Sequence, residues 1–303
     1  MSTSVTTAFI TEYEAKLHLT FQREGTMLLS AVRWKKDTVG STAVFQVLGT
    51  GTATTKARHG MVTPMNQSHS TATATLADFY AGDYVDALDE AKVNIDEQDA
   101  IIRTGANALG RKIDDQIFTS MDGTTQTAIT WTNTSELNVR KALLDMAEAL
   151  WSNNIQNDGR VYGALSSKGW ALAMTVREFT NSQWVDAAGR PYTTGAPSFK
   201  RWKDWMGIKW CMHTGVPGHG TTTAKPFVWH KDAVGYSSGK HPKNFANRGS
   251  VVADITWVGE RAAHFINHMM SGGAVLIDDL GVIEGTLNDD DTIPVAASTA
   301  AAS

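Results

Sequence analysis

The longest periodic stretch of the chain is DEQDAIIRTGANALGRKIDDQIFTSM, residues 96–121. Ile102, Ala106, Leu109, Ile113 and Ile117 recur at spacings of 4, 3, 4 and 4. That rhythm places them on one stripe of an α-helix. Arg103, Arg111, Lys112, Asp114 and Asp115 fall on the other side and are expected in solvent. Asp96 is the expected N-cap, with Glu97 and Asp99 adding negative charge to the first turn. At ~1.5 Å per residue the helix would run roughly 35–40 Å. No proline interrupts it. Gly105 and Gly110 each cost about 1 kcal/mol relative to alanine. A close neighbour is therefore expected at both. One apolar stripe on a long helix predicts a girder lying on a sheet.

The pattern elsewhere is less regular. Residues 11–33 predict a helix, with Phe9, Tyr13, Leu17, Phe21, Met27 and Leu28 as apolar members and Gly25 as an interruption. It reads as an ordinary amphipathic helix or as an arm packed on another subunit. Residues 43–48 and 75–88 alternate like strands. Between them, residues 49–75 are rich in Thr, Ser, Ala and Gly. Met61, Val62 and Met65 are the sizeable apolar groups there. Structureless loops of this length are uncommon in compact domains and are usually functional or disordered. Threonines favour extended backbone, and an isolated hairpin is marginal in water. An extended arm ordered by a neighbouring chain is favoured over a free surface loop.

A polar connector at 124–134 leads to a second predicted helix, 135–153, with Leu137, Leu144, Ala147, Leu150 and Trp151 as its buried side. A strand is expected at 161–165 and short helices at 166–174 and 176–183, followed by a loop at 189–197. Strands follow at 207–213 and 226–230. The last quarter predicts strands at 250–258 and 262–270, bounded by Gly259 and by the glycines in 271–273, then 274–277 and 281–285. The acidic run at 289–291 and the Ala/Ser tail are expected to be disordered.

At 303 residues the chain exceeds one typical domain, and 42% apolar content is enough for a core. The formal net charge of −4 argues against a protein that coats nucleic acid. The single cysteine, Cys211, forms no intrachain disulfide. A reducing compartment is the simplest setting. The opening residues lack the basic and apolar regions of a signal peptide, and no apolar run is long enough to span a membrane. Ten tryptophans, several between Trp170 and Trp229, point to large contact surfaces.

No catalytic motif emerges. A nucleophile elbow is missing, and residues 235–241, GYSSGKH, lack Walker A spacing. The pair Gly49 and Gly51 lacks the third glycine of a dinucleotide turn. His264 and His268 stand four apart without the glutamate of a zinc helix, on a segment that reads as a strand. Cys211 and His213 are half of a metal pair without a second half. Asp114/Asp115, Asp278/Asp279 and the run at 289–291 are adjacent carboxylates, better explained as solvated than as acid–base pairs. No cofactor is expected. Lys56, Arg58 and His59 form a basic cluster with no acid between residues 49 and 75. An acidic patch on a neighbouring subunit is a more economical partner for it than nucleic acid.

Several stretches, in this order, resemble the major capsid proteins of tailed double-stranded DNA bacteriophages, with the Hong Kong 97-like fold. The most specific is DFYAGDYVDALDEAKVNIDEQDAIIRTGANALGRKIDDQIF at 78–118, which resembles that family's strand leading into its spine helix. VYGALSSKGWALAM at 161–174, GIKWCMHTGVPG at 207–218 and KPFVWHKDAVGY at 225–236 look like parts of its A-domain. GERAAHFINHMMSGGAVLIDDLGVIEG at 259–285 is similar to its return through the P-domain. The resemblance implies an α+β fold divided into an N-terminal arm at 1–36, an E-loop hairpin at 37–86 and a first P-domain part at 87–150. An A-domain at 151–249, P-domain return strands at 250–272, final A-domain strands at 273–290 and a flexible tail at 291–303 would follow.

It implies a non-enzymatic shell protein of the virion, assembled in the host bacterial cytoplasm as hexamers and pentamers of an icosahedral head around double-stranded DNA. The implied partners are further copies of the chain, a separate scaffolding protein, the portal and DNA held without sequence specificity, with no membrane. Where some members carry a long N-terminal scaffolding segment, this arm begins almost at once, and Met1 argues against a trimmed precursor. Lys56 is the only lysine of the E-loop between 49 and 75, but no cross-linking pocket is evident, so covalent cross-linking is not expected. Inter-subunit contacts are expected at Phe9, Tyr13, Lys56, Arg58, His59, Met61, Met65, Gly105 and Gly110. The alternatives are another particle component, a tail-tube or decoration protein, or a small-molecule-binding enzyme whose pocket lies in the tryptophan-rich 161–230 region.

Overall fold

The computed structural model describes residues 25–86, 97–132, 135–155, 157–180, 202–240 and 252–290. In chain order the elements begin with β1 (Arg33–Thr38), β2 (Thr42–Leu48), β3 (His69–Thr75) and β4 (Ala77–Asp86). Then come α1 (Glu97–Met121), β5 (Ile129–Thr130), α2 (Glu136–Ser152), β6 (Val161–Leu165), α3 (Ser167–Thr175) and α4 (Arg177–Thr180). The remainder are strands: β7 (Lys203–Trp205), β8 (Ile208–Met212), β9 (Phe227–His230), β10 (Val234–Gly239), β11 (Val252–Val258), β12 (Ala263–Leu276) and β13 (Val282–Thr286). None of the described helices is long and apolar enough to cross a membrane.

The chain forms two compact units. One holds Met1–Thr26, Asp78–Lys112 and His241–Ser271; the other holds Met27–Ala77, Ile113–Lys240 and Gly272–Ser303. Thus α1 gives residues 97–112 to the first and 113–121 to the second. This division cuts across the expected 87–150 segment, because α2 shares a core with the strands of the second unit.

In the second unit, six strands run in the order β5-β13-β9-β6-β8-β7. β6 is parallel to β8, and β13 to β5. Leu143, Met146 and Leu150 of α2 and Leu172 of α3 join Trp205, Trp210, Val228 and Ile283 in one apolar cluster. Ser135 caps α2 by accepting from the Asn138 N–H at 3.3 Å. The helix stands where its periodicity places it, and Ala147 and Leu150 are buried as expected, but the rest of the buried face differs. Val139, Leu143, Met146 and Leu150 are covered, while Leu137 is 62% exposed and Leu144 and Trp151 lie in the open. Two apolar stripes compete here, 137/144/151 and 139/143/146/150, and the sheet takes the second.

The N-terminal side also differs from expectation. Within the described residues the predicted 11–33 helix is absent after Gly25. Leu29–Ala31 make one 3₁₀ turn, and Arg33–Thr38 become strand β1, parallel to β10. Gly25 has φ +58°, which ends any helix through it. Leu28, Ala31 and Val32 are buried, and Trp229 Nε1–H donates to the Ala31 carbonyl at 2.9 Å. This segment is a core staple rather than a helix.

β12 overturns another expected boundary. The glycines at 272 and 273 do not end a strand; β12 runs on to Leu276. A Cβ at Gly272 would stand 2.1 Å from Tyr236 Oη, and one at Gly273 2.1 Å from the Thr75 carbonyl oxygen. Close approach, not a turn, demands glycine there.

In the first unit, β11 is antiparallel to β12 from Val252↔Met269 to Val258↔Ala263. β4 also pairs with β12. Gly82 of β4 lies under the Phe265 ring, and Tyr84 packs on that ring at 4.6 Å.

Candidate assembly surface

The hairpin β2–β3 pairs from Thr42↔Thr75 to Leu48↔His69. One face is apolar at its base. Ala43, Phe45 and Ala74 are buried there with Ala72, Leu76, Val275 and Ile277 around them. Phe45 fits because Gly235 beneath it has no side chain. Beyond Leu48 the chain makes a long polar loop, residues 49–68, with few internal bonds. Gly49 N–H donates to the Ser68 carbonyl at 2.8 Å, Gly60 N–H to the Ala57 carbonyl at 2.8 Å, and Thr54 Oγ1 to the Thr63 carbonyl at 3.3 Å.

This loop carries most of the residues expected to meet a neighbouring subunit. Lys56, Arg58 and His59 are exposed. Met61 is 94% exposed and Met65 53%, with Val62 also open. Among the described residues neither Lys56 nor Arg58 meets a carboxylate. Phe9 and Tyr13 lie outside the described residues.

Gly105 and Gly110 are different. A Cβ on Gly105 would fall 2.3 Å from His268 Nδ1, and one on Gly110 2.7 Å from the Gly25 carbonyl carbon. Both neighbours belong to the same chain and the same compact unit. Their small size is accounted for within one chain. His268 is buried, and its Nδ1–H donates to the Ala81 carbonyl at 3.1 Å. His264 packs edge-on against Trp257 across the β11–β12 pair at 4.9 Å.

Asp114 was expected in solvent and is 0% exposed. In the second unit its carboxylate accepts from the Met27 N–H at 3.1 Å, the Leu28 N–H at 3.2 Å and His213 Nε2 at 3.0 Å. Gly215 N–H donates into His213 Nδ1 at 3.0 Å. With Nδ1 accepting, the imidazole proton sits on Nε2 and points at Asp114. The pair therefore clasps the segment entering β1 to α1. Burial, and then the charge of Asp114, push the Tyr236 phenol up from its ordinary range. The periodicity of α1 hid Asp114, and the distance in sequence hid its partners. Of the half-pair Cys211 and His213, the histidine turns Nε2 to Asp114 and Nδ1 to the Gly215 N–H. Among the described residues no group of three metal-ligating side chains comes together.

The chain thus combines a buried, hydrogen-bonded scaffold with a long hairpin that, among the described residues, is buried at its base. Phage capsid protein is the family that matches, across residues 5–289. The chain belongs to it. Its fold is that of phage major capsid proteins, Hong Kong 97-like. The capsid of Cyanophage P-SCSP1u matches with TM-score 0.68 at 15% identity, covering 95% of this chain and 96% of that one. The capsid of Ralstonia phage GP4 matches with TM-score 0.67 at 10% identity, over 95% and 97%. A protein of Mycobacterium phage Che8 matches with TM-score 0.65 at 16% identity, over 91% and 97%. No curated protein sequence matches. The protein is a structural capsid component of a bacteriophage virion.

Proposed function

We propose that the protein self-assembles into hexamers and pentamers of an icosahedral head that encloses double-stranded DNA. The observation that carries this reading is the loop at 49–68. Its apolar residues Met61, Val62 and Met65 are exposed, and its cations Lys56 and Arg58 meet no carboxylate of their own chain among the described residues. Exposed apolar groups of this kind mark interaction sites. In the proposed shell they seat on a neighbouring copy, and the arm containing Phe9 and Tyr13 adds a second link. Several interfaces of about 1,000 Å² or more per subunit hold a shell without one very tight contact. A separate scaffolding protein directs assembly in the host cytoplasm, a portal occupies one vertex, and the modest negative charge confines DNA without gripping it. Non-covalent seating of the loop, without cross-linking through Lys56, belongs to the same reading.

Replacing residues 50–67 by an Asn-Gly turn tests it. The variant should remain a folded, soluble subunit and form no closed particles in negative-stain microscopy. Normal shells from that variant would sink the proposal.

A further inference from the structure

β1 and β2 follow one another but do not pair. β1 pairs with β10 and β2 with β3, and among the described residues the remaining edge of each is unpaired. Between these two edges lies a cavity of about 580 Å³, lined by Arg33, Trp34 and Lys35 of β1 and Val44, Phe45 and Gln46 of β2. Successive strand side chains point to opposite faces.

The groove is cationic. Arg33, Lys35 and the adjacent Lys36 are exposed, and among the described residues they meet no carboxylate. The Arg33 guanidinium lies 5.8 Å from the Phe45 ring centre and the Lys36 ammonium 4.0 Å from that of Trp34. These rings hold the charges near the rim. Trp34 is fixed in turn, because its Nε1–H donates to Ser238 Oγ at 3.2 Å. β10, the ladder partner of β1, is buried along its length.

We propose that this groove takes an extended acidic segment of a separate partner protein, added as a strand along the free edge of β1. Unpaired N–H and C=O groups of an edge strand supply the main-chain bonds for such an addition. Arg33 and Lys35 share one face of β1, so carboxylates two residues apart match them. The alternate side chains then lie toward Trp34. A second copy of this chain does not offer the occupant among the described residues. Its acid-bearing strands are already in a ladder: β4, with Asp78, Asp83 and Asp86, pairs with β12, and so does β11, with Asp254.

The test uses the full-length unassembled chain and fluorescein-labelled decapeptides, read by fluorescence anisotropy, so it is independent of shell formation. EVETEVETEV should bind, and added salt should weaken it. EPETEPETEP keeps the charge but gives up strand-donating N–H groups; KVKTKVKTKV reverses the charge. Each should bind about tenfold more weakly or not at all. Arg33→Glu with Lys35→Glu should weaken EVETEVETEV by about tenfold with an unchanged melting temperature. Lys35→Glu alone, with a smaller loss, serves if the double variant does not fold. Absence of binding, equal binding of the valine and proline peptides, or indifference to the charge reversals would each overturn the proposal. So would self-association of the wild type that the reversals abolish, which would make the occupant a second copy.

Discussion

Gly110 has no room for a side chain. A Cβ there would stand 2.7 and 2.8 Å from the Gly25 carbonyl carbon and Cα. Both are backbone atoms, so no rotamer change relieves the clash. Gly25 is itself held, with φ +58° and its N–H bonded to Asn107 Oδ1 at 3.2 Å. Gly110→Leu should therefore destabilise the isolated subunit by about 2–3 kcal/mol, the upper part of the usual overpacking cost. A lowered urea midpoint of the unassembled chain checks it. An unchanged midpoint with blocked shells would move the tight contact to a subunit interface. Gly105 meets the His268 ring instead of backbone, so a side chain there has a neighbour that can shift. Asp114 carries the opposite lesson: a charged residue is buried where two N–H groups and an imidazole bond its carboxylate.

Among the elements, the connector after α1 gains a role that composition did not signal. Asp279, in the turn before β13, accepts from Thr124 Oγ1 at 2.7 Å, Thr125 N–H at 3.0 Å, Thr125 Oγ1 and Gln126 Nε2 at 3.1 Å. Burial pushes this carboxyl up, but the bonds from Thr125, Thr124 and Gln126 outweigh it and hold the pKa at about 2. The folded value lies below the ordinary value of about 3.9 in an unfolded chain. The linked stability is therefore fully present above about pH 4 and is lost as pH falls through about 2. Asp279→Asn should flatten the acid limb of the stability curve in that window, followed by thermal melts. An acid limb as steep as the wild type's would place the sensitivity in other carboxylates. The contribution is modest, because the group is only partly buried and solvent screens it.

For the whole molecule, the charge distribution matters more than its total. Between residues 27 and 77 five Lys and Arg stand against Asp37 alone, in a chain of formal net charge −4. At the loop cations Lys56 and Arg58 a second copy presents an acidic remainder, which favours association between unlike surfaces of like chains. Lys56→Glu with Arg58→Glu should leave subunit stability within about 0.5 kcal/mol, since both side chains are exposed. Shell yield by sedimentation should fall. Wild-type assembly should also weaken between 0.1 M and 1 M salt, as the Debye length shrinks from about 10 to about 3 Å. Unchanged yield of the charge-reversed variant would assign the seating to Met61, Val62 and Met65 alone.

What the sequence by itself determined is local. The repeat of Leu109, Ile113 and Ile117 located α1, Ser135 and the following apolar periodicity located α2, and alternation located β2 and β8. The order of these stretches was enough to resemble the capsid family. The exposed loop at 49–68 was also legible, because a Thr-rich run with few apolar residues cannot build its own core. Tertiary structure decided which of the two stripes of α2 faces the sheet, that Asp114 is buried, and that β12 runs through its glycines. The physical reason is the same in each case. Periodicity reports the geometry of one element, whereas burial is set by a partner far away in the chain: His213 for Asp114, Tyr236 for Gly272, Gly25 for Gly110. Glycine marks a turn and a close crossing with the same letter, and only the folded neighbour tells them apart.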